Sequence, residues 1–229
     1  QFGTLAALHP GRIDLGLGRG INNDPATLQA LRRQPNDAAE FPRDVQELLF
    51  FLAPAAPGQK VRAIPGEGSQ VPVWILSSSA GGAQLAATMG LPFAFAAHFA
   101  PDAMEVALAT YRGRFVPSAH LDNPRVMLSL TVVAADTDEE ARLLFSTALA
   151  ANDAPLVPPI LNYEQSLDPQ RRALLQNFFR HSVVGGPETV KKGVADFINR
   201  YRPDEIIIAA QIFDHVARRK SFEILSRIF

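Results

Sequence analysis

The stretch VPVWILSSSAGGAQLAATMGLPFAFAAHFA, Val71 to Ala100, decides the fold class. Its first six residues, Val71 to Leu76, form a near-continuous apolar run, the pattern of a strand covered on both faces in a parallel sheet. Ala80 to Met89 follows as a helix, and Gly90 stands where a left-handed C-terminal cap is wanted. A second strand runs from Phe93 to Ala97. Strand, helix and strand within about thirty residues make a βαβ unit, with parallel strands and a right-handed crossover.

The same alternation extends outward. Upstream, Ile13 to Gly18 (IDLGLG) reads as a short strand ended by a Gly-rich turn. Phe41 to Ala53 places Val45, Leu48, Leu49 and Leu52 at helical spacing, and the Pro- and Gly-rich segment 54–70 reads as loop. Downstream come a helix over Pro101 to Tyr111 and a strand over Val126 to Ala134. Thr137 and Glu140 have capping-box spacing and open a helix through about Ala150. Asp168-Pro169 and Pro187 open two more helices, Glu205 to Ala210 is a strand, and Asp214 caps a final helix. The expectation is an α/β domain spanning residues 1–229, with five parallel strands.

Composition narrows the function classes. At 229 residues and 47% apolar content the chain can build a large core, and α/β barrels of about 250 residues occur as one domain. A net charge of −1 supplies no basic field and argues against nucleic acid as a partner. The absence of cysteine excludes disulfides, thiolate nucleophiles and Cys-ligated metals, and fits a cytoplasmic protein. No metal-ligand spacing occurs among the five histidines. No apolar run reaches the ~18 residues of a membrane helix, and Pro92 and His98 break the stretch Leu91 to Ala100. The chain starts at Gln1, and QFGTLAALHPGR reads as the end of a helix, a turn and then a strand, so it is expected to begin inside a fold.

Four sites carry candidate chemistry. Arg19 is flanked by Gly18 and Gly20 at the end of a strand, where a guanidinium can fork onto a phosphate; the plainer reading is a tight turn with a solvated arginine. A dinucleotide fingerprint fails, because Ile21 stands where glycine is needed. Ser77-Ser78-Ser79-Ala80-Gly81-Gly82 offers hydroxyls and free N–H groups at a helix start, either an anion site or ordinary capping. Arg19 and Ser78/Ser79 fall at the C-terminal ends of successive strands, the ligand-binding side of a parallel sheet. His98 ends FAFAAHF on that side, where it lines a pocket, moves a proton or caps the strand. Val184-Gly185-Gly186-Pro187 lacks the lysine of a P-loop and reads as a helix start.

Together HPGRIDLGLGRG (residues 9–20), PVWILSSSAGGAQLAATMGLPFAFAAHFAP (72–101), VVGGPETVKKGVADF (183–197) and DEIIIAA (204–210) resemble the luciferase-like flavin monooxygenases. The resemblance implies a (β/α)₈ TIM barrel in which the five strands are the fourth to eighth. The first three strands and the family's catalytic histidine would precede this chain, which resembles the C-terminal two thirds of such an enzyme. It implies oxygenation of a small organic substrate by O₂ and reduced FMN, with a separate flavin reductase as source and a homodimeric assembly. F420 chemistry on the same fold, or a non-catalytic flavin-binding protein, are the alternatives.

Residue by residue, the resemblance assigns Arg19, Ser78 and Ser79 to the flavin phosphate, and the Ile21 backbone to the flavin tail. Gly82 replaces a hydroxyl residue of the family and keeps only its N–H; Ala97 and His98 approach the flavin ring, with His98 the one candidate catalytic group.

Overall fold

The computed structural model describes residues 1–20, 24–32, 37–151 and 155–229, which form six β-strands and ten α-helices. They pack as two compact units, one of residues 1–94 and 106–125, the other of residues 95–105 and 126–229.

The first unit opens with α1 (Phe2–Leu8), β1 (Leu15–Leu17), α2 (Pro25–Ala30) and α3 (Asp37–Leu52). It continues through β2 (Val73–Ser77), α4 (Ala80–Met89) and most of β3 (Phe93–Phe95). It closes with the greater part of α5 (Met104–Arg114), which follows a 3₁₀ turn at Pro101–Ala103 in the second unit. β1 and β2 are parallel, in the register Leu15 to Val73 and Leu17 to Ile75. β3 follows β2 in the sheet. Leu15, Val71 and Val73 are buried against Leu48, Leu49 and Leu52, so the apolar stripe seen in the sequence is the face α3 turns to the strands. Tyr111 is wholly buried; its hydroxyl donates to Leu91 O at 2.9 Å and accepts from Arg125 N at 3.1 Å. Gly90 has φ +60°, and a Cβ there would meet Val116 O at 2.6 Å, so both conformation and space demand glycine.

The second unit holds β4 (Val126–Ala134), α6 (Asp138–Ala151), α7 (Tyr163–Ser166) and α8 (Pro169–Phe178). After them come β5 (Val183–Gly185), α9 (Pro187–Tyr201), β6 (Glu205–Ala209) and α10 (His215–Ile228). β4 pairs in parallel with β6 over Met127 to Thr131 and with β5 over Val132 to Ala134. The caps fall where the sequence puts them: Asp168 accepts from Arg171 N at 2.9 Å and Asp214 from Ala217 N at 2.7 Å. Thr137 accepts from Glu140 N at 3.1 Å, while the Glu140 carboxylate reaches back to Asp136 N rather than to Thr137.

The parallel α/β expectation holds, and the strand count is corrected from five to six. Val183–Gly185 is a strand as well as the approach to a helix. Three residues, one of them glycine, are too short to display a period, and the strand exists through its pairing to the end of β4. α2 and α7 lie in segments read only as loop or left unassigned, and are six and four residues long. No helix among the described residues is long and apolar enough to cross a membrane.

Candidate functional site: a donor-lined helix N-terminus and a held histidine

In the first unit, the register of β1 with β2 sets Leu17 opposite Ile75. Two residues further on, Arg19 is level with Ser77. A Cβ on Gly18 would lie 3.3 Å from Leu76 O, which shows how closely the two chains still run beyond the last paired residues. Arg19 is exposed and forms no salt bridge among the described residues. Ser78 is exposed in the turn that follows β2.

Ser79 is the N-cap of α4 and accepts from Gly82 N, a long 3.4 Å contact. Ser77 Oγ accepts from Ser79 N at 3.1 Å and lies 3.2 Å from Ser79 Oγ. The first turn of α4 contains no acidic residue. The rim therefore presents backbone N–H groups, three hydroxyls and a guanidinium, with the positive end of the helix dipole behind them. That donor set fits a phosphate group: it offers hydrogen-bond donors and positive charge, with no carboxylate in the turn to oppose a dianion.

The sequence reading passed over Ser77 in favour of its two neighbours. A Cβ on residue 82 would fall 2.2 Å from Ser77 Oγ and 2.3 Å from Ser77 Cβ. Ser77 thus occupies the space a residue-82 side chain would need. The β1–β2 register that brings position 77 level with Arg19 is a property of the structure, and no spacing in the sequence carries it. Ile21, assigned to the flavin tail, lies outside the described residues.

In the second unit, Ala97 is buried at 1% exposure and His98 is half-buried, both in the turn after β3. His98 Nδ1 lies 2.5 Å from Ser129 Oγ, and the His98 backbone N–H donates to the same oxygen at 3.4 Å. Burial pushes the His98 imidazole below the ordinary histidine pKa, so the neutral ring is favoured at neutral pH. Ser129 was not singled out in the sequence, although it is a buried hydroxyl in a strand otherwise almost wholly apolar. Just after His98, a groove of about 420 Å³ runs between Phe99–Ala103 and α8, with Leu174, Leu175 and Phe178 on its far wall.

The helix start at Pro187 is a different case from α4. Asp138 accepts from Gly186 N at 2.7 Å and from Thr189 Oγ1 at 3.2 Å, which holds its carboxyl below the usual carboxylate range. A carboxylate already fills the N-terminus of α9, so the Gly185-Gly186 turn is a helix start, as its sequence suggests.

The chain is 44% identical over 232 residues to a luciferase-like monooxygenase of Escherichia coli K12, covering 98% of this chain and 69% of that protein. The structure of apo-MsnO8 superposes with a TM-score of 0.80 at 29% identity, covering all of this chain and 71% of that one. Two further structures share the fold. One is the oxygenating constituent of 3,6-diketocamphane monooxygenase from Pseudomonas putida, in complex with FMN (TM-score 0.60, 18% identity, 99% of this chain and 72% of that one). The other is a coenzyme F420-dependent tetrahydromethanopterin reductase from Methanopyrus kandleri (TM-score 0.62, 16% identity, 99% of this chain and 76% of that one). With the pattern of the luciferase-like monooxygenases matched from residue 1 to residue 202, the chain belongs to that family.

Proposed function

We propose that the chain is the phosphate-holding part of a flavin-dependent monooxygenase, the C-terminal portion of the family's (β/α)₈ fold. The observation that carries the reading is an exposed Arg19, without a salt bridge among the described residues, level with a helix N-terminus that carries Ser77, Ser78 and Ser79. Arg19, those hydroxyls and the N–H groups at the start of α4 hold the FMN phosphate, the Ile21 backbone the flavin tail. Ala97 and His98 belong to the ring end, and the groove after His98 receives a small organic substrate. Reduced FMN, when bound, supplies the electrons with which O₂ is activated and one oxygen atom is delivered to the substrate. The protein's own part is to fix the cofactor, exclude water with the buried wall around Ala97, and keep His98 neutral beside the reacting centre. A separate reductase supplying reduced flavin, a homodimeric assembly and a cytoplasmic location belong to the same reading.

A second reading, deazaflavin F420 in place of FMN, draws on the F420-dependent structure with this fold. A third, a flavin-binding protein without turnover, draws on the lack of any described group besides His98 placed for proton transfer in the reading above. Titration separates them. FMN is expected to bind saturably, and Arg19→Ala to weaken binding at least tenfold, about 1.4 kcal/mol. An affinity unchanged in Arg19→Ala defeats the phosphate assignment. Tighter binding of F420 than of FMN selects the second reading. Reduced FMN bound without O₂-dependent product formation on any of a panel of organic substrates selects the third.

A further inference from the structure

Ser129 lies in the interior of β4 at 6% exposure, so its hydroxyl proton and its lone pairs have to be placed within the protein. One lone pair receives the backbone N–H of His98 at 3.4 Å. The other contact is to His98 Nδ1 at 2.5 Å. Two proton arrangements produce that second contact. With a proton on Nδ1, Ser129 Oγ accepts twice, and its own O–H has no acceptor among the described residues. With the proton on Nε2, Nδ1 is a bare acceptor, the Ser129 O–H donates to it, and both the hydroxyl and Nδ1 are satisfied.

We infer that Ser129 is a positioning residue that locks His98 as the Nε2–H tautomer, so that the ring presents one fixed hydrogen-bond donor to whatever occupies the site. The inference deepens the reading of His98 as a ligand-facing group. Nε2 has no partner among the described residues, and His98 is half-buried, so that donor is unspent. The ligand group set against Nε2 is therefore an acceptor, a carbonyl oxygen or an unprotonated ring nitrogen. The arrangement also resists acid. Protonating Nδ1 sets N–H against O–H and leaves the serine proton without an acceptor, which adds to the effect of burial on the ring.

The test reads the ring directly and needs no cofactor. Long-range ¹H–¹⁵N correlation on the ¹⁵N-labelled chain at pH 8, with His98→Gln to assign the resonances, is expected to show a bare Nδ1 and a protonated Nε2. Ser129→Ala is expected to give a mixture of tautomers and a His98 pKa closer to the ordinary value of about 6.5. Ser129→Thr, which restores the hydroxyl on a residue suited to a strand, is expected to return the native pattern. A protonated Nδ1 in the native chain overturns the inference, and so does a folded Ser129→Ala with the tautomer unchanged. If Ser129→Ala does not fold, the native spectrum decides alone. FMN titration of the same samples separates the two ideas. A native Nε2–H in a chain that binds no FMN upholds the lock and defeats the flavin reading, while bound FMN beside a protonated Nδ1 does the reverse.

Discussion

At the scale of single residues, Gly82 and Ser77 show how a site can be partly hidden in its sequence. Three consecutive serines before a helix suggest an anion site or a cap, and the structure makes Ser79 the cap. That Ser77 fills the space beside Gly82 depends on how β2 enters α4, which no spacing rule encodes. The Cβ of residue 82 would meet the Cβ of Ser77 as well as its hydroxyl, so rotating the serine does not relieve the clash. Gly82→Ala is expected to cost about 1–3 kcal/mol in urea unfolding. Gly81→Ala, whose Cβ meets only Ser79 Oγ at an ordinary 3.8 Å, is expected to be neutral or stabilising by up to ~1 kcal/mol. Equal losses in the two variants would mean that Ser77 does not fill that space.

Two histidines extend the residue-scale account to pH. His98 is depressed by burial, and His181 first by burial and then by the neighbouring Arg180 and Arg200. His181 is edge-on to Phe197 and Tyr201, with Nε2 buried and without a partner. A depressed histidine binds its proton more readily in the unfolded chain, so stability is full above the ordinary pKa of about 6.5 and is lost as pH falls below it. The melting temperature is expected to drop between pH 7 and pH 5, and His181→Gln to flatten that slope. A melting temperature independent of pH over this range would show that neither ring titrates differently on folding.

At the scale of elements, legibility followed length and capping. The strand Val126–Ala134 was placed to the residue, because eight of its nine positions are apolar or β-branched and leave little choice. The helices opened by Asp168, Pro187 and Asp214 began where the capping residues stand. β5 and α7, of three and four residues, were not legible as elements, since each owes its existence to what it packs against. Asp138 shows the difference between local and tertiary caps. It sits in the first turn of α6, yet its carboxylate binds Gly186 N and Thr189 of α9. Asp214→Ala is expected to cost about 1 kcal/mol, an ordinary N-cap. Asp138→Ala removes a cap and a link between α6 and the start of α9, and is expected to cost more, up to about 2 kcal/mol by thermal or urea unfolding. A loss no greater than that of Asp214→Ala would reduce Asp138 to a cap alone.

At the scale of the whole molecule, alternating strands and helices pointed to a parallel α/β protein, and the four motif segments pointed to the family. The rim of donors proposed to hold a phosphate was readable because its parts are local: an arginine after one strand, serines after the next, a helix start beyond. The histidine half-site was readable only as His98, because its partner Ser129 is 31 residues away. The central claim is that the rim formed by Arg19 and Ser77–Gly82 holds a flavin phosphate. Titrating FMN into the chain while following flavin fluorescence, with Arg19→Ala in parallel, tests it most directly. Saturable binding that weakens at least tenfold in the variant is the predicted result. A folded chain that leaves FMN fluorescence unchanged, or an Arg19→Ala variant that binds as tightly as the native protein, would contradict it.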